Sequence, residues 1–426
     1  MFSVCRQNKL RGIYMRLDEK SFWCDYDAMT AIGAIEGGGN ERLSMSDEDI
    51  EARALLISML KKEGFAVNED ETGAIWARLE GSDPEAAAVL VGSHIDTVRN
   101  GGKYDGLLGV MMGFQAMRQI KDEGEAHKRA IELVVFPTEE SARFNFPTVG
   151  SKVLAGKVTP QKLKEMKDVN GISLHEALVM RGFDPDNAEK ARGRVRNAFS
   201  MTELHIEQGP LLVSGGPRIG VVSAIAAPTR LSIKIEGEYS HSGACPMHLR
   251  RDALAASAEF ILEVEKAGNA ESVHKTVAAA TLCTLKNASM NVVPGCVELV
   301  VDVRGIDKQS ITRCVEKIKA SLDAVCAKRN VSGALSVISS DDPTPMEEGM
   351  IASISRCCEL HGVPYEVMPS GAGHDAMNIA AVIPTGMIFV PCKDGVSHNP
   401  AEEIYKQDLV DVFPVLCSHL LSEANK

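Results

Sequence analysis

The sequence predicts an α/β protein, a mainly parallel sheet with crossover helices, interrupted by a small inserted α+β sandwich. Three observations predict it. From about residue 86, apolar runs of strand length alternate with helix-length runs, which is the pattern of parallel strands buried on both faces. Near residue 212 the rhythm changes to strand, strand, helix, strand, strand, helix, an order that suits one sheet covered by two helices. After about residue 329 the first rhythm returns, so the expected division is 1–211, 212–328 and 329–426, with the outer segments forming one domain. A chain of 426 residues is too long for one ordinary core, which fits two domains.

In the first segment the strand-like AAAVLVG is followed by LLGVMMGFQAMRQI, a helix, and then by the apolar IELVVF. Each strand ends in a polar cluster: Ser93, His94 and Asp96 after one, Thr138, Glu139 and Glu140 after the other. Open α/β sheets place their sites at such strand ends. In the middle segment IGVVSAI and TRLSIKIEG read as a strand pair, followed by a helix over 252–266 and by the strands VAAATLCTL and CVELVVDVR. A helix closes it, with Ile311, Val315, Ile318, Leu322 and Val325 at steps of four and three. The last segment reads as a helix near 347–361, the strand YEVMPS, the turn GAGHDA, the strand TGMIFVP and a helix near 405–422.

Composition narrows the class of function. The formal net charge of −12 opposes binding to nucleic acid and to anionic membranes. Eleven cysteines lie scattered from Cys5 to Cys417 without a CxxC pair, which points to reduced thiols rather than a disulfide framework. Arg6, Lys9, Arg11 and Arg16 precede Asp18 and Glu19 with no continuous apolar stretch, so neither a secretory signal nor a bilayer span is expected, a transit peptide is the minor alternative, and the cytoplasm is the expected location.

The chemistry-bearing residues are mostly imidazoles and carboxylates. GSHIDTVRNGGKYDG sets His94 and Asp96 at a strand end and Asp105 in a glycine-rich turn before a helix. Glu139 and Glu140 are adjacent after IELVVF, so one can hold a cation while the other moves a proton. ELHIEQGP carries His205 beside Gln208, and GVSHNPAE carries His398 in a turn before a helix. His94, Asp105, Glu140, His205 and His398 make five nitrogen and oxygen ligands without a thiolate, too many for one tetrahedral zinc and natural for two ions. His374 and Asp375 in SGAGHDA either buttress such a centre or cap the following helix.

Eight motifs occur in order: GSHIDTV, NGGKYDG, EESARF, ELHIEQGP, SHSGACPMHLRRDA, NVVPG, SGAGHDA and FVPCKDGVSHNPAE. From about residue 37 to its end the chain resembles the hydantoinase/carbamoylase family of amidases, which includes N-carbamoyl-L-amino acid hydrolases, allantoate amidohydrolases and β-ureidopropionases. The resemblance implies a bimetallic catalytic domain with a lid and dimerisation insert, and two divalent ions, zinc or manganese, with cobalt or nickel also suited to the donors. His94 and Glu140 would lie on one side and His205 or His398 on the other, with Asp105 bridging. Glu139 would be the general base, Asp96 would orient His94, and His241 would reach across a homodimer interface to polarise the scissile carbonyl. Gln208, Asn291, Arg304 and Gly373 would contact a small carboxylate substrate, the guanidinium as a two-pronged donor.

The chain departs from common members at Thr138 and Ser141 around the glutamate pair, at 227–230 and at 241–247. The expected reaction is hydrolysis of the carbamoyl C–N bond of an N-carbamoyl-L-amino acid. The alternatives are allantoate or another ureido acid, a dipeptide or N-acyl amino acid, and a binding protein that has lost catalysis.

Overall fold

A computed structural model describes residues 15–216 and 218–426. The basic positions Arg6, Lys9 and Arg11, on which the transit-peptide alternative turned, lie outside them, as does Cys5. The chain divides into two compact units, Met1–Ser223 with Met346–Lys426, and Ala224–Pro345.

In the first unit the middle of the sheet is four parallel strands in the order Ile131–Phe136, Val89–His94, Ser200–Ile206 and Thr385–Val390. Every residue of these four is buried, which is why VLVG, LVVF and MIFV read as apolar runs rather than alternating ones, whereas Ser200–Ile206 carries Ser200, Thr202, Glu203 and His205 into the sheet. Ile75–Leu79 extends the sheet antiparallel on one side, with Ala66–Glu69 beyond it. On the other side Ile219–Ile225 pairs antiparallel with Thr385–Val390. The helix Leu107–Asp122 is almost wholly buried and shares one apolar core with the helices Asp47–Lys62, Glu348–His361 and Lys406–Ala424.

The second unit holds a four-stranded antiparallel sheet in the order Ser332–Ser340, Ala227–Glu236, Cys296–Gly305, Val277–Leu285. The helices Ala253–Glu271 and Lys308–Arg329 contribute Phe260, Val264, Ile318 and Leu322 to a core with Ile233, Leu299 and Val301. A two-stranded ribbon sets Val292 opposite His241.

Two expectations about this region change. IGVVSAI and TRLSIKIEG are not partners: the first belongs to the large sheet and the second to the small one. The reason is visible in their burial, because Ile219–Ile225 is almost continuously buried whereas Ala227–Glu236 alternates buried and open positions, and only the second suits a sheet with one solvated face. The small sheet also has a fourth strand after its second helix, Ser332–Ser340, an edge strand largely open to solvent and therefore lacking an apolar signal. The second unit accordingly runs over Ala224–Pro345 instead of 212–328. Among the described residues no helix is long and apolar enough to cross a membrane.

Candidate active site

Strand ends of the first unit carry the functional side chains. His94 is the last residue of Val89–His94, His205 lies one residue from the end of Ser200–Ile206, and Glu139 and Glu140 follow Ile131–Phe136 after a two-residue turn. Asp105 sits two residues before the helix Leu107–Asp122. Between them Gly106 has φ +64° and a Cβ there would lie 2.4 Å from the His94 ring; only glycine allows the turn to press onto the imidazole in this backbone conformation.

These residues form two groups around one carboxylate. Asp105 Oδ1 lies 3.0 Å from His205 Nε2 and 3.7 Å from His94 Nε2, while Asp105 Oδ2 lies 2.9 Å from His398 Nε2. His398 Nε2 is in turn 3.4 Å from Glu140 Oε1. His94, Asp105 and His205 make one set able to hold a metal, and Asp105, Glu140 and His398 make another, with ligand atoms inside each set no more than 4.8 Å apart. His94 therefore pairs with His205, and Glu140 with His398, rather than His94 with Glu140 as the resemblance suggested.

The donor chemistry fits cations. His94 Nδ1 faces the Asp96 carbonyl at 3.0 Å and His205 Nδ1 faces the Ile206 carbonyl at 2.9 Å. A carbonyl can only accept, so each Nδ1 carries hydrogen and each Nε2 can turn a lone pair toward Asp105. Asp105 Oδ1 and Glu140 Oε1 are buried without hydrogen-bond partners among the described residues, an arrangement that is costly unless positive charge compensates it.

The electrostatics carry the same strain. Burial, followed by Glu140 and Asp375, pushes Glu139 well above the usual carboxylate range, and burial with Asp105 does the same to Glu140. Asp105 is held well below that range because the close His205 and His398 imidazoles outweigh its burial. Burial works against a charged His205, yet Asp105 raises it to about 9, whereas burial lowers His94 to about 4. Glu139 Oε2 stands 3.8 Å from His94 Nε2, beside the ligand sets and in neither.

Asp96 acts differently from the expectation that its carboxylate orients His94. Its Oδ1 is 3.8 Å from His94 Nδ1, whose partner is the Asp96 backbone carbonyl. The carboxylate instead accepts the backbone N–H groups of Glu139 at 3.2 Å and Glu140 at 3.0 Å, fixing the turn that aims both glutamates. Gln208 likewise reaches the ligands: its Nε2 is 3.0 Å from Asp105 Oδ2 and 3.2 Å from His398 Nε2. His374 is the buttress of its pair, with its ring edge-on to His205 at 4.5 Å between centroids and its Nε2 3.0 Å from Ser370 Oγ.

Asp375 does not cap the helix Ala376–Ile379 with its side chain. That task falls to Glu203, fully buried, which accepts the Ala376 N–H at 2.8 Å and the Ser93 hydroxyl at 2.8 Å. The sequence expectations passed over Glu203, although a carboxylate in the middle of a strand-like segment, two residues before His205, was a visible signal. Gly373 lies in the turn leading to that helix.

The remaining candidates lie in the second unit. His241 is exposed, and its Nδ1 accepts the backbone N–H groups of Gly243 and Ala244 at 3.1 Å each, so the neutral ring carries its hydrogen on Nε2 as a donor. Asn291 joins it through the ribbon, its carbonyl accepting the Ser242 N–H at 2.9 Å. Arg304 lies on Cys296–Gly305 with Nε 2.8 Å from Asp302 Oδ2.

Known proteins resemble this chain over most of its length. The model of the family described as Peptidase family M20/M25/M40 matches residues 90–422. The chain is 37% identical to an N-carbamoyl-L-amino acid amidohydrolase of Geobacillus stearothermophilus, over 88% of this chain and 91% of that one. It is 34% identical to an allantoate amidohydrolase of Escherichia coli (strain K12), over 90% and 92%. A crystal structure of an amidase of the hydantoinase/carbamoylase family from Burkholderia multivorans matches with a TM-score of 0.91 at 32% identity, over 97% and 99%. With its largely parallel central sheet, its two candidate metal-binding sets and relatives that match over nearly their whole length, the chain belongs to the metal-dependent hydrolases of peptidase family M20/M25/M40, among the hydantoinase/carbamoylase amidases.

Proposed function

We propose that the chain hydrolyses the carbamoyl C–N bond of an N-carbamoyl-L-amino acid, yielding the amino acid, carbon dioxide and ammonia. The observation that carries this reading is the division of Asp105, one oxygen toward His94 and His205 and the other toward His398 and Glu140, with Glu139 beside them. When bound, two divalent ions, zinc or manganese, with cobalt or nickel also compatible, lower the pKa of a water and polarise the scissile carbonyl. Glu139, kept in a buried acidic setting that raises its proton affinity, takes the proton from that water and delivers it to the leaving nitrogen. Asp96 keeps the glutamate turn aimed through its two backbone hydrogen bonds.

The second unit completes the site in this reading. His241 presents an Nε2 donor suited to a developing oxyanion, and by resemblance it serves the site of a partner copy, so the active form is a homodimer built through residues 224–345, which also act as a lid. Asn291, Arg304, Gln208 and Gly373 recognise the substrate carboxylate and ureido group. The net charge of −12 and free cysteines suit a cytoplasmic enzyme for small molecules without nucleic-acid or membrane partners.

An allantoate-type ureido acid is the second reading, favoured by the relative of that name. The test is one panel on metal-reconstituted protein: ammonia release from N-carbamoyl-L-amino acids and from allantoate, and amine release from dipeptides and N-acyl amino acids. Turnover of carbamoyl amino acids well above the rest is expected. Preference for allantoate or a dipeptide would replace the substrate assignment, and metal-replete protein inert on every amide would replace catalysis with binding.

A further inference from the structure

One buried carboxylate outside both ligand sets is tied to each of them. Glu402 is 1% exposed. Its Oε1 accepts the backbone N–H of Tyr104 at 2.8 Å and of Asp105 at 3.1 Å, and its Oε2 accepts the Ser397 hydroxyl at 3.0 Å. One oxygen thus grips the turn that carries Asp105, and the other grips the residue before His398. The chain is shaped for this contact: a Cβ at Gly102 would lie 2.0 Å from Glu402 Oε1, so only a glycine lets the turn close on the carboxylate. The neighbouring Glu403 accepts the Tyr104 hydroxyl at 2.7 Å and holds the same turn from its side-chain end.

Neither Asp105 nor His398 lies within a helix or strand, and His398 sits at φ +54°. Loop-borne ligands keep their geometry only if something outside the metal shell fixes the loops. We propose that Glu402 is a positioning residue that clamps the Asp105 turn to the His398 turn and so presets the two ligands at the 2.9 Å separation at which they stand. The inference rests on the reading of Asp105 and His398 as metal ligands. An amide at 402 can keep the clamp, because its oxygen still accepts both N–H groups and its nitrogen can donate to Ser397 Oγ. A methyl group cannot.

The test is cobalt binding by the full, metal-stripped chain, read from the visible absorption of bound Co²⁺ and from competition with a chelator. Glu402→Ala is expected to weaken cobalt binding by about 10–100-fold and to alter the absorption bands, while Glu402→Gln stays within about threefold of the parent and keeps the bands. If Glu402→Ala does not fold by circular dichroism, Ser397→Ala, which breaks only the link to the His398 turn, is expected to weaken binding several-fold. Parent-like affinity and spectrum in Glu402→Ala, or in the folded Ser397→Ala when it stands in, would overturn the clamp while leaving the ligand assignment intact. Equal losses in Glu402→Ala and Glu402→Gln would overturn it as well. Absence of cobalt binding in the parent would instead bring down the ligand assignment, and the clamp with it.

Discussion

Asp96 Oδ2 accepts the backbone N–H of Glu140 at 3.0 Å across 44 positions of sequence, and this bond joins the ends of two neighbouring parallel strands. Its sister bond from Glu139 N–H goes to Oδ1. One buried carboxylate thereby sets the direction of two others. Burial, followed by the charge of Asp49, raises Asp96 itself to about 8.

Replacing Asp96 by Asn tests that grip. An amide has a single acceptor oxygen, so one of the two glutamate N–H groups would face an NH₂ and lose its partner. Metal affinity is expected to fall about 10–100-fold, measured by chelator competition, with a folded protein by circular dichroism. Unchanged affinity would show that the glutamate turn holds itself.

Glu139→Gln separates proton transfer from metal holding. The residue lies beside the ligand sets and belongs to neither, so the variant should retain its metal by elemental analysis while kcat drops about 10²–10⁴-fold. Near-parent kcat with full metal content would remove Glu139 as the base.

Two inactive variants should rescue each other if the partner's histidine completes each site. Mixing Glu139→Gln with His241→Ala chains, after unfolding and reassembly in equal amounts, gives dimers in which one site has both groups; about a quarter of parent activity is expected for random pairing. A mixture no more active than its components would argue against the shared site.

Acid stability offers a test remote from the metal. His419 is fully buried between Thr202 Oγ1 and Ser353 Oγ, each 2.9 Å from a ring nitrogen, and burial lowers it from 6.5 to about 4. Below pH 6.5 the unfolded chain takes up a proton that the folded chain refuses, so stability falls as pH drops toward 4, by up to about 1.4 kcal/mol per pH unit. His94 and His374 are lowered by burial too and add slopes of the same sign. Urea unfolding of His419→Gln at pH 7 and pH 5 should therefore show a smaller loss on acidification than the parent. An equal loss in both proteins would mean that His419 does not contribute.

The amino-acid sequence by itself determined the parallel strands Val89–His94 and Ile131–Phe136 and the residue types at their ends, because a strand buried on both faces favours apolar side chains and a polar cluster such as Ser93, His94 and Asp96 marks where the strand leaves the sheet. It also supplied the five candidate ligands. Tertiary structure alone decided which of them meet: His94 with His205, and Glu140 with His398, around opposite oxygens of Asp105. It decided too that Asp96 grips the glutamates, that Glu203 replaces Asp375 as the cap and that Ile219–Ile225 joins the large sheet. The reason is physical: burial period is a local property written residue by residue, whereas the partner of a carboxylate depends on which loops packing brings within about 3 Å.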